Sequence, residues 1–191
     1  KGYKPMEINE IVKETLLFLR SGKVILYPTD TIWGLGCDPY SREGIQRIQA
    51  IKQRDIRKSF ILLVSSYQML QRYVAVSQET LAFLDKQERP TSVIYTQVYD
   101  LNLPEAADHS LAFRVVKDPF CKALIDAFDA PLVSTSANIS GEESPKNFSQ
   151  ISEQIKKSVD YIVPYRREEQ GAGQPSQLLK IEDNQVIFLR K

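Results

Sequence analysis

Tyr27-Pro28-Thr29-Asp30-Thr31-Ile32-Trp33-Gly34-Leu35-Gly36-Cys37 follows a short apolar run at 24–26 that Gly22 and Pro28 bound. Proline cannot donate to a sheet ladder, so a strand over 24–26 ends at Pro28. Two threonine hydroxyls, the Asp30 carboxylate and the Trp33 indole are then delivered together at a strand's carboxyl end. In open α/β sheets that edge is where ligands bind. Gly34 and Gly36 let the backbone turn sharply or approach a ligand closely. Taken alone, the stretch fits equally well a polar turn whose Thr and Asp side chains bond their own backbone.

Two further stretches resemble it in kind. Pro131-Leu132-Val133-Ser134-Thr135-Ser136-Ala137-Asn138-Ile139-Ser140-Gly141 again runs from an apolar strand into small hydroxyl and amide groups. Such groups offer donors and acceptors to a polar ligand without bulk or charge. Lys52, Arg54, Arg57 and Lys58 follow Ile45, Ile48 and Ile51, the apolar face of a helix. A solvated helix end, with cations answering the dipole, is the plainer reading of that run.

Around these pieces, helical and strand patterns alternate without repeats. Ile8, Ile11, Val12, Leu16 and Leu19 have helical spacing, which Ser21-Gly22 closes. Continuous or alternating apolar runs predict strands at 60–64, 92–96, 111–116 and 161–163. Helices are predicted at 67–73, at 77–86 with Ser77 as cap, from Asp118-Pro119 to about Phe128, and at 147–157. Residues 165–176 hold Arg166, Arg167, two Glu, Gly171, Gly173 and Pro175 with no apolar period, which predicts a mobile loop, either a connector or a lid. A hairpin around Asp183-Asn184 closes the pattern. Crossovers mixed with hairpins predict an α/β fold: a twisted, open, mixed parallel and antiparallel sheet with helices packed on it. The length of 191 residues suits one domain spanning 1–191.

Composition narrows the chemistry. Apolar residues make up 42% of the chain and charged residues 26%, as in an ordinary globular protein. A net charge of +1 argues against a general polyanion binder. No apolar stretch has transmembrane length and residues 1–9 carry no signal core, so a cytoplasmic protein without membrane contact is expected. Cys37 and Cys121 predict buried or loop thiols rather than a disulfide framework. With His109 the sole histidine, a zinc site of the usual His and Cys type lacks ligands and no metal residues are assigned. Neither a phosphate-binding Gly-x-x-x-x-Gly-Lys loop nor a complete dinucleotide fingerprint occurs, since Pro39 stands at the third glycine.

The Tyr-Pro-Thr-Asp-Thr run at 27–31, the Lys-x-Arg of Lys52 and Arg54, and the Ser-x-Asn of Ser136 and Asn138 carry a resemblance. With Ala112-Phe113-Arg114-Val115 and the closing strand at 186–190, they stand in the order of the YrdC-like family of threonylcarbamoyl-adenylate synthases, which the chain resembles in its short form. The resemblance implies the same fold with a large concave cavity on its open face. It also implies a reaction: L-threonine, bicarbonate or CO2 and ATP give threonylcarbamoyl-adenylate and pyrophosphate for a tRNA modification at an adenosine. The implied partners are those substrates, Mg²⁺ carried on the ATP phosphates, tRNA or double-stranded RNA, and a downstream threonylcarbamoyl transferase complex.

The resemblance also assigns residues. Lys52, Arg54, Ser136 and Asn138 match the family's catalytic motif. Thr31, Leu63, Arg114, Ser134 and Ser176 match threonine-binding positions, with Arg114 placed to pair the carboxylate. Arg54, Lys58, Ser110, Ser136, Ser144 and Arg190 match nucleotide contacts. Departures include Ile32-Trp33 where the family has Tyr, Ser59 after Lys58 in place of Pro, and Gln177 after Pro175-Ser176 in place of Thr. Two alternatives remain beside the synthase. One is a noncatalytic RNA-binding module, which 25 basic against 24 acidic residues do not favour. The other is a carbamoyl-adenylate-handling domain of the hydrogenase-maturation type, whose acylphosphatase and zinc-finger segments this chain lacks.

Overall fold

Helix α1 (Ile8–Arg20) buries Ile11, Val12, Leu16 and Leu19, the positions its 3.6-residue period selects. The computed structural model describes residues 6–55, 60–96, 98–99, 110–183 and 185–190. Strand β1 (Ile25–Tyr27) is buried at all three positions and stops at Pro28 as expected, its span shifted one residue along from the 24–26 run.

Strand β2 (Gly34–Gly36), read from sequence as a place for a sharp turn or close approach to a ligand, is a fully buried strand between two others. It is antiparallel to β1, with Tyr27 opposite Gly34, and antiparallel to β6 (Leu132–Ser136), with Gly34 opposite Ser136. Close approach is the reason for glycine here. A Cβ on Gly36 would stand 2.6 Å from the Tyr27 ring and from the Val133 carbonyl oxygen. The Tyr27 hydroxyl donates to that same carbonyl at 3.2 Å.

The remaining strands are β3 (Ile61–Val64), β4 (Thr91–Tyr95), β5 (Leu111–Val115), β7 (Tyr161–Ile162), β8 (Gln177–Glu182) and β9 (Gln185–Arg190). They form one sheet in the order β7-β1-β2-β6-β3-β5-β4-β8-β9. The pairs β1–β7, β3–β5 and β4–β8 are parallel and the others antiparallel. The fold is therefore an open mixed α/β sheet, as the alternation of patterns predicts.

The helices start where short polar side chains can cap them. Ser41 Oγ accepts from the Gly44 amide before α2 (Arg42–Lys52), and Ser66 Oγ from Met69 before α3 (Tyr67–Leu70). Ser77 and Asp118 cap α4 (Gln78–Asp85) and α5 (Pro119–Phe128) in the same way, and Pro119 sits at the first turn where its missing N–H costs nothing. The helix expected over 147–157 is broken. A 3₁₀ turn at Phe148–Gln150 is followed by extended Ile151 and Ser152, then α6 (Glu153–Ser158). Buried Ile151 is drawn into the core, and Ser152 Oγ accepts from the Ile155 amide at 3.2 Å, so capping restarts the helix. Stacking of Phe18 on Tyr161, centroids 4.5 Å apart, ties α1 to β7. No helix among the described residues is long and apolar enough to cross a membrane.

Candidate active site

The carboxyl end of β1, the end of α2, the turn after β6, the tip of β5 and the β8–β9 pair converge on a cavity of about 340 Å³. That volume lies in the range of small-molecule sites. Its walls carry four cationic side chains, Lys52, Arg54, Arg114 and Arg190, against one carboxylate, Glu142, among neutral hydroxyls. Such a lining suits an anionic ligand.

Lys52 is the last residue of α2 and is buried rather than projecting from a solvated helix end. Its ammonium donates to the carbonyl oxygens of Ser136 (2.7 Å) and Asn138 (3.0 Å), and lies within 3.3 Å of Ser136 Oγ and 3.2 Å of Asn138 Oδ1. Ser136 Oγ donates on to Asn138 Oδ1, whose amide nitrogen reaches the Glu142 carbonyl at 2.7 Å. The Ser140 amide closes the turn on the Lys52 carbonyl at 3.0 Å. Burial, and then the nearby charge of Arg54, bring the Lys52 ammonium down to about 8.

Arg114 sits in an apolar strand because a carboxylate meets it: Asp30, itself partly buried, accepts from the Nη1 of buried Arg114. Its Nε has no partner among the described residues. Of the four buried polar atoms left unpartnered there, two belong to cavity-lining residues, Arg114 Nε and Ser140 Oγ. Buried polar groups are normally satisfied, so these two residues carry unused bonding capacity at the cavity wall.

Near Arg114, Arg190 Nε donates to the Ser176 carbonyl at 2.9 Å and its Nη2 to Ser176 Oγ at 3.2 Å. Ser176 Oγ lies 2.7 Å from Ser92 Oγ, and Ser92 stands opposite Arg114 in the sheet. Burial and the charge of Arg114 lower the Arg190 guanidinium. Thr31 Oγ1 is held 3.0 Å from Thr29 Oγ1, which also donates to the Ile32 carbonyl at 2.6 Å.

Most residues named from sequence therefore meet. Thr31, Lys52, Arg54, Arg114, Ser134, Ser136, Asn138, Ser144, Ser176 and Arg190 all line the cavity. Leu63 does not: it is fully buried in β3 between Arg114 of β5 and Leu132 of β6, a core residue beneath the pocket. Ser110 lies outside the lining, immediately before β5, and Lys58 falls outside the described residues. Sequence reasoning missed Ser92, gave Ser140 only as part of its polar stretch, and left Asp30 without a partner. Each was one polar residue in a run of others.

A smaller cavity, about 220 Å³, lies on the other side of the 29–33 turn, beneath residues 166–173. That segment was expected to be mobile, yet its start is tied down. Arg166, at φ 61°, pairs with Asp118 (2.6 Å) and donates to the Thr29 carbonyl (3.0 Å), while Arg167 donates to the Ile162 and Val163 carbonyls.

Comparison with known proteins bears on the family and the fold. A threonylcarbamoyl-AMP synthase of Vibrio campbellii is 32% identical over 182 residues, covering 92% of this chain and 96% of the relative. Escherichia coli YciO superposes with a TM-score of 0.82 at 24% identity, over 98% of this chain and 91% of that one. Sua5 of P. abyssi, solved in complex with L-threonine, superposes with a TM-score of 0.79 at 20% identity; this chain spans 55% of its length. The model of the Sua5/YciO/YrdC family, described as "Telomere recombination", matches residues 17–191. With that match and the Vibrio relative both spanning nearly the whole chain, the protein belongs to the Sua5/YciO/YrdC family.

Proposed function

We propose that the protein is a cytoplasmic L-threonylcarbamoyladenylate synthase. The carrying observation is the 32% identity, over 92% of the chain, to a relative named threonylcarbamoyl-AMP synthase. The cation-rich, hydroxyl-lined cavity supports it. The neutral amine of L-threonine forms a C–N bond to CO2 derived from bicarbonate and releases a proton. A carbamate oxygen then attacks the α-phosphorus of ATP, and the bond to the β-phosphate breaks to release pyrophosphate. The mixed anhydride would pass to a threonylcarbamoyl transferase complex for modification of tRNA.

In this reading the Arg114 guanidinium takes the threonine carboxylate, a charge-assisted contact. Thr31, Ser134 and Ser176 surround the rest of the amino acid. Arg54, Ser144 and Arg190 meet the nucleotide, and the family resemblance adds Lys58 and Ser110. Lys52, through Ser136 and Asn138, presents the turn on which the α-phosphate rests. Charge grows on the leaving pyrophosphate, so fixed cations lower the barrier without reorganising, and holding two reactants together supplies much of the remainder. Among the described residues no group of three or more His, Cys, Asp or Glu could hold a metal ion. Mg²⁺ would be carried on the ATP phosphates, where it neutralises charge.

Incubation with ATP, bicarbonate and labelled threonine tests this. The labelled adenylate should form only when all three are present. Pyrophosphate released at the same rate without threonine would overturn the assignment.

A further inference from the structure

Asp30 does not line the main cavity; it faces the smaller one across the 29–33 turn. Its carboxylate nevertheless accepts from Nη1 of Arg114, which does line the main cavity. The other oxygen accepts from the Lys117 amide at 3.2 Å. One side chain thus fastens the turn to the end of β5 at two points, and one of those points is the cavity's guanidinium.

The anchor is itself held. Thr29 Oγ1 bonds the Ile32 carbonyl and the Thr31 amide, at 2.6 and 3.0 Å. The Thr29 carbonyl accepts from Arg166, which is paired in turn with Asp118, the cap of α5. Asp30 is therefore presented from a turn braced against a helix.

The shape of the guanidinium gives this placement a consequence. Its N–H groups form a rigid planar fork, so fixing one nitrogen aims the others. With Nη1 engaged by Asp30, the plane of the guanidinium is fixed, and its Nε makes no bond among the described residues. An arginine held at one end can take a second carboxylate at the other, but only while the first contact stops the side chain from rotating. Arg190 is close enough for the two guanidiniums to repel, and Asp30 offsets that repulsion at Arg114.

We propose that Asp30 is a positioning residue that holds the Arg114 guanidinium in place for the carboxylate of the amino-acid substrate without touching that substrate. The inference rests on the proposed function in one respect, that the anion on Arg114 is an amino acid's carboxylate.

Calorimetric binding of threonine and, separately, of ATP tests it without requiring turnover. The variants are Asp30→Ala, Asp30→Asn, Arg114→Ala and the double variant, each checked for a cooperative unfolding transition. Asp30→Ala should weaken threonine binding at least about tenfold, while ATP affinity stays within about twofold. Asp30→Asn keeps an acceptor for Nη1 and should recover most of the loss. The double variant should bind threonine no worse than Arg114→Ala, because Asp30 acts only through Arg114.

Unchanged threonine affinity in Asp30→Ala, equal losses for both ligands, or additive losses in the double variant would each overturn the proposal. Should Asp30→Ala fail to fold, Asp30→Asn and Asp30→Glu decide the matter. The longer Glu displaces Arg114 and should weaken threonine binding while Asn retains it, and equal binding by both would overturn the idea. Turnover by the parent protein is read alongside: threonine binding without product would sink the synthase reading and leave the role of Asp30 standing.

Discussion

The Lys52 ammonium lies 2.7 Å from the Ser136 carbonyl oxygen, so the end of α2 holds the turn that follows β6. A lysine that looks like a helix-end cation in sequence is instead the centre of the site's polar network. Lys52→Met would leave several buried acceptors without a donor, each costing about 1–3 kcal/mol where no water enters. Urea unfolding should show a loss of that order, and product formation should fall by more than about tenfold. A variant as stable and as active as the parent would remove Lys52 from the site.

The lowered Lys52 ammonium, at about 8, makes a pH prediction. Phosphate brought into the cavity favours the charged form, so ATP binding should take up a proton between about pH 8 and 9. Calorimetry in two buffers of different ionisation enthalpy reads this directly, and equal heats would contradict it. For stability the sign is the reverse of a usual lysine pair. The folded value is below the free value of 10.5, so the unfolded chain binds more protons between about 8 and 10.5. The penalty for burying Lys52 therefore shrinks as pH rises through that window.

Ser140→Ala should separate stability from binding. Its hydroxyl is buried and unpartnered on the cavity wall, so removing it relieves an unsatisfied group. The thermal midpoint should stay level or rise, while affinity for ATP or threonine falls a few-fold. A drop in the midpoint with intact binding of both would show that the hydroxyl serves the fold.

Gly173→Ala tests the seat of the 166–173 segment. A Cβ there would collide with the Thr31 carbonyl oxygen, and the Gly173 amide donates to the Lys146 carbonyl at 2.9 Å. The segment or the 29–33 turn must shift, so threonine affinity should fall more than global stability does. Equal threonine affinity in the variant and the parent would show that the contact is incidental.

Trypsin offers a check on the same segment. Loop composition alone suggests cleavage at Arg166 or Arg167 in the free protein, but both side chains are engaged. Cleavage is expected instead after Glu168 by a glutamate-specific protease, since 168–172 is exposed and Glu169 is paired with Arg166. Fast tryptic cutting at 166–167 without ligand would contradict the anchoring.

What the sequence disclosed follows from range. Helix α1, the Ser77 cap and the Asp118-Pro119 start of α5 depend on neighbours within a turn, and they stand where the pattern puts them. Strand β2 was hidden because Gly-Leu-Gly has no strand propensity and is shaped by Tyr27 and Val133 across the sheet. The 147–157 periodicity hid a break, since apolar spacing does not report that Ser152 caps better than it propagates. Ten of the positions named by motif resemblance line one cavity, while Leu63, named with them, is buried in the core. The Asp30–Arg114 pair joins residues 84 apart, and nothing local in either stretch announces the other.

The parallel pairing of β4 with β8 sets Thr91 beside Gln177, and that of β1 with β7 sets Ile25 beside Tyr161. Each such pair closes a long loop before any contact rewards it, which slows folding. The cavity draws walls from both halves of the sheet, so it is among the last features that order can reach. On refolding, helical signal from α1 and α5 should return first and threonine affinity only after a lag. A chain caught in that interval would have secondary structure but no pocket, with the β8 edge open to pairing with another chain.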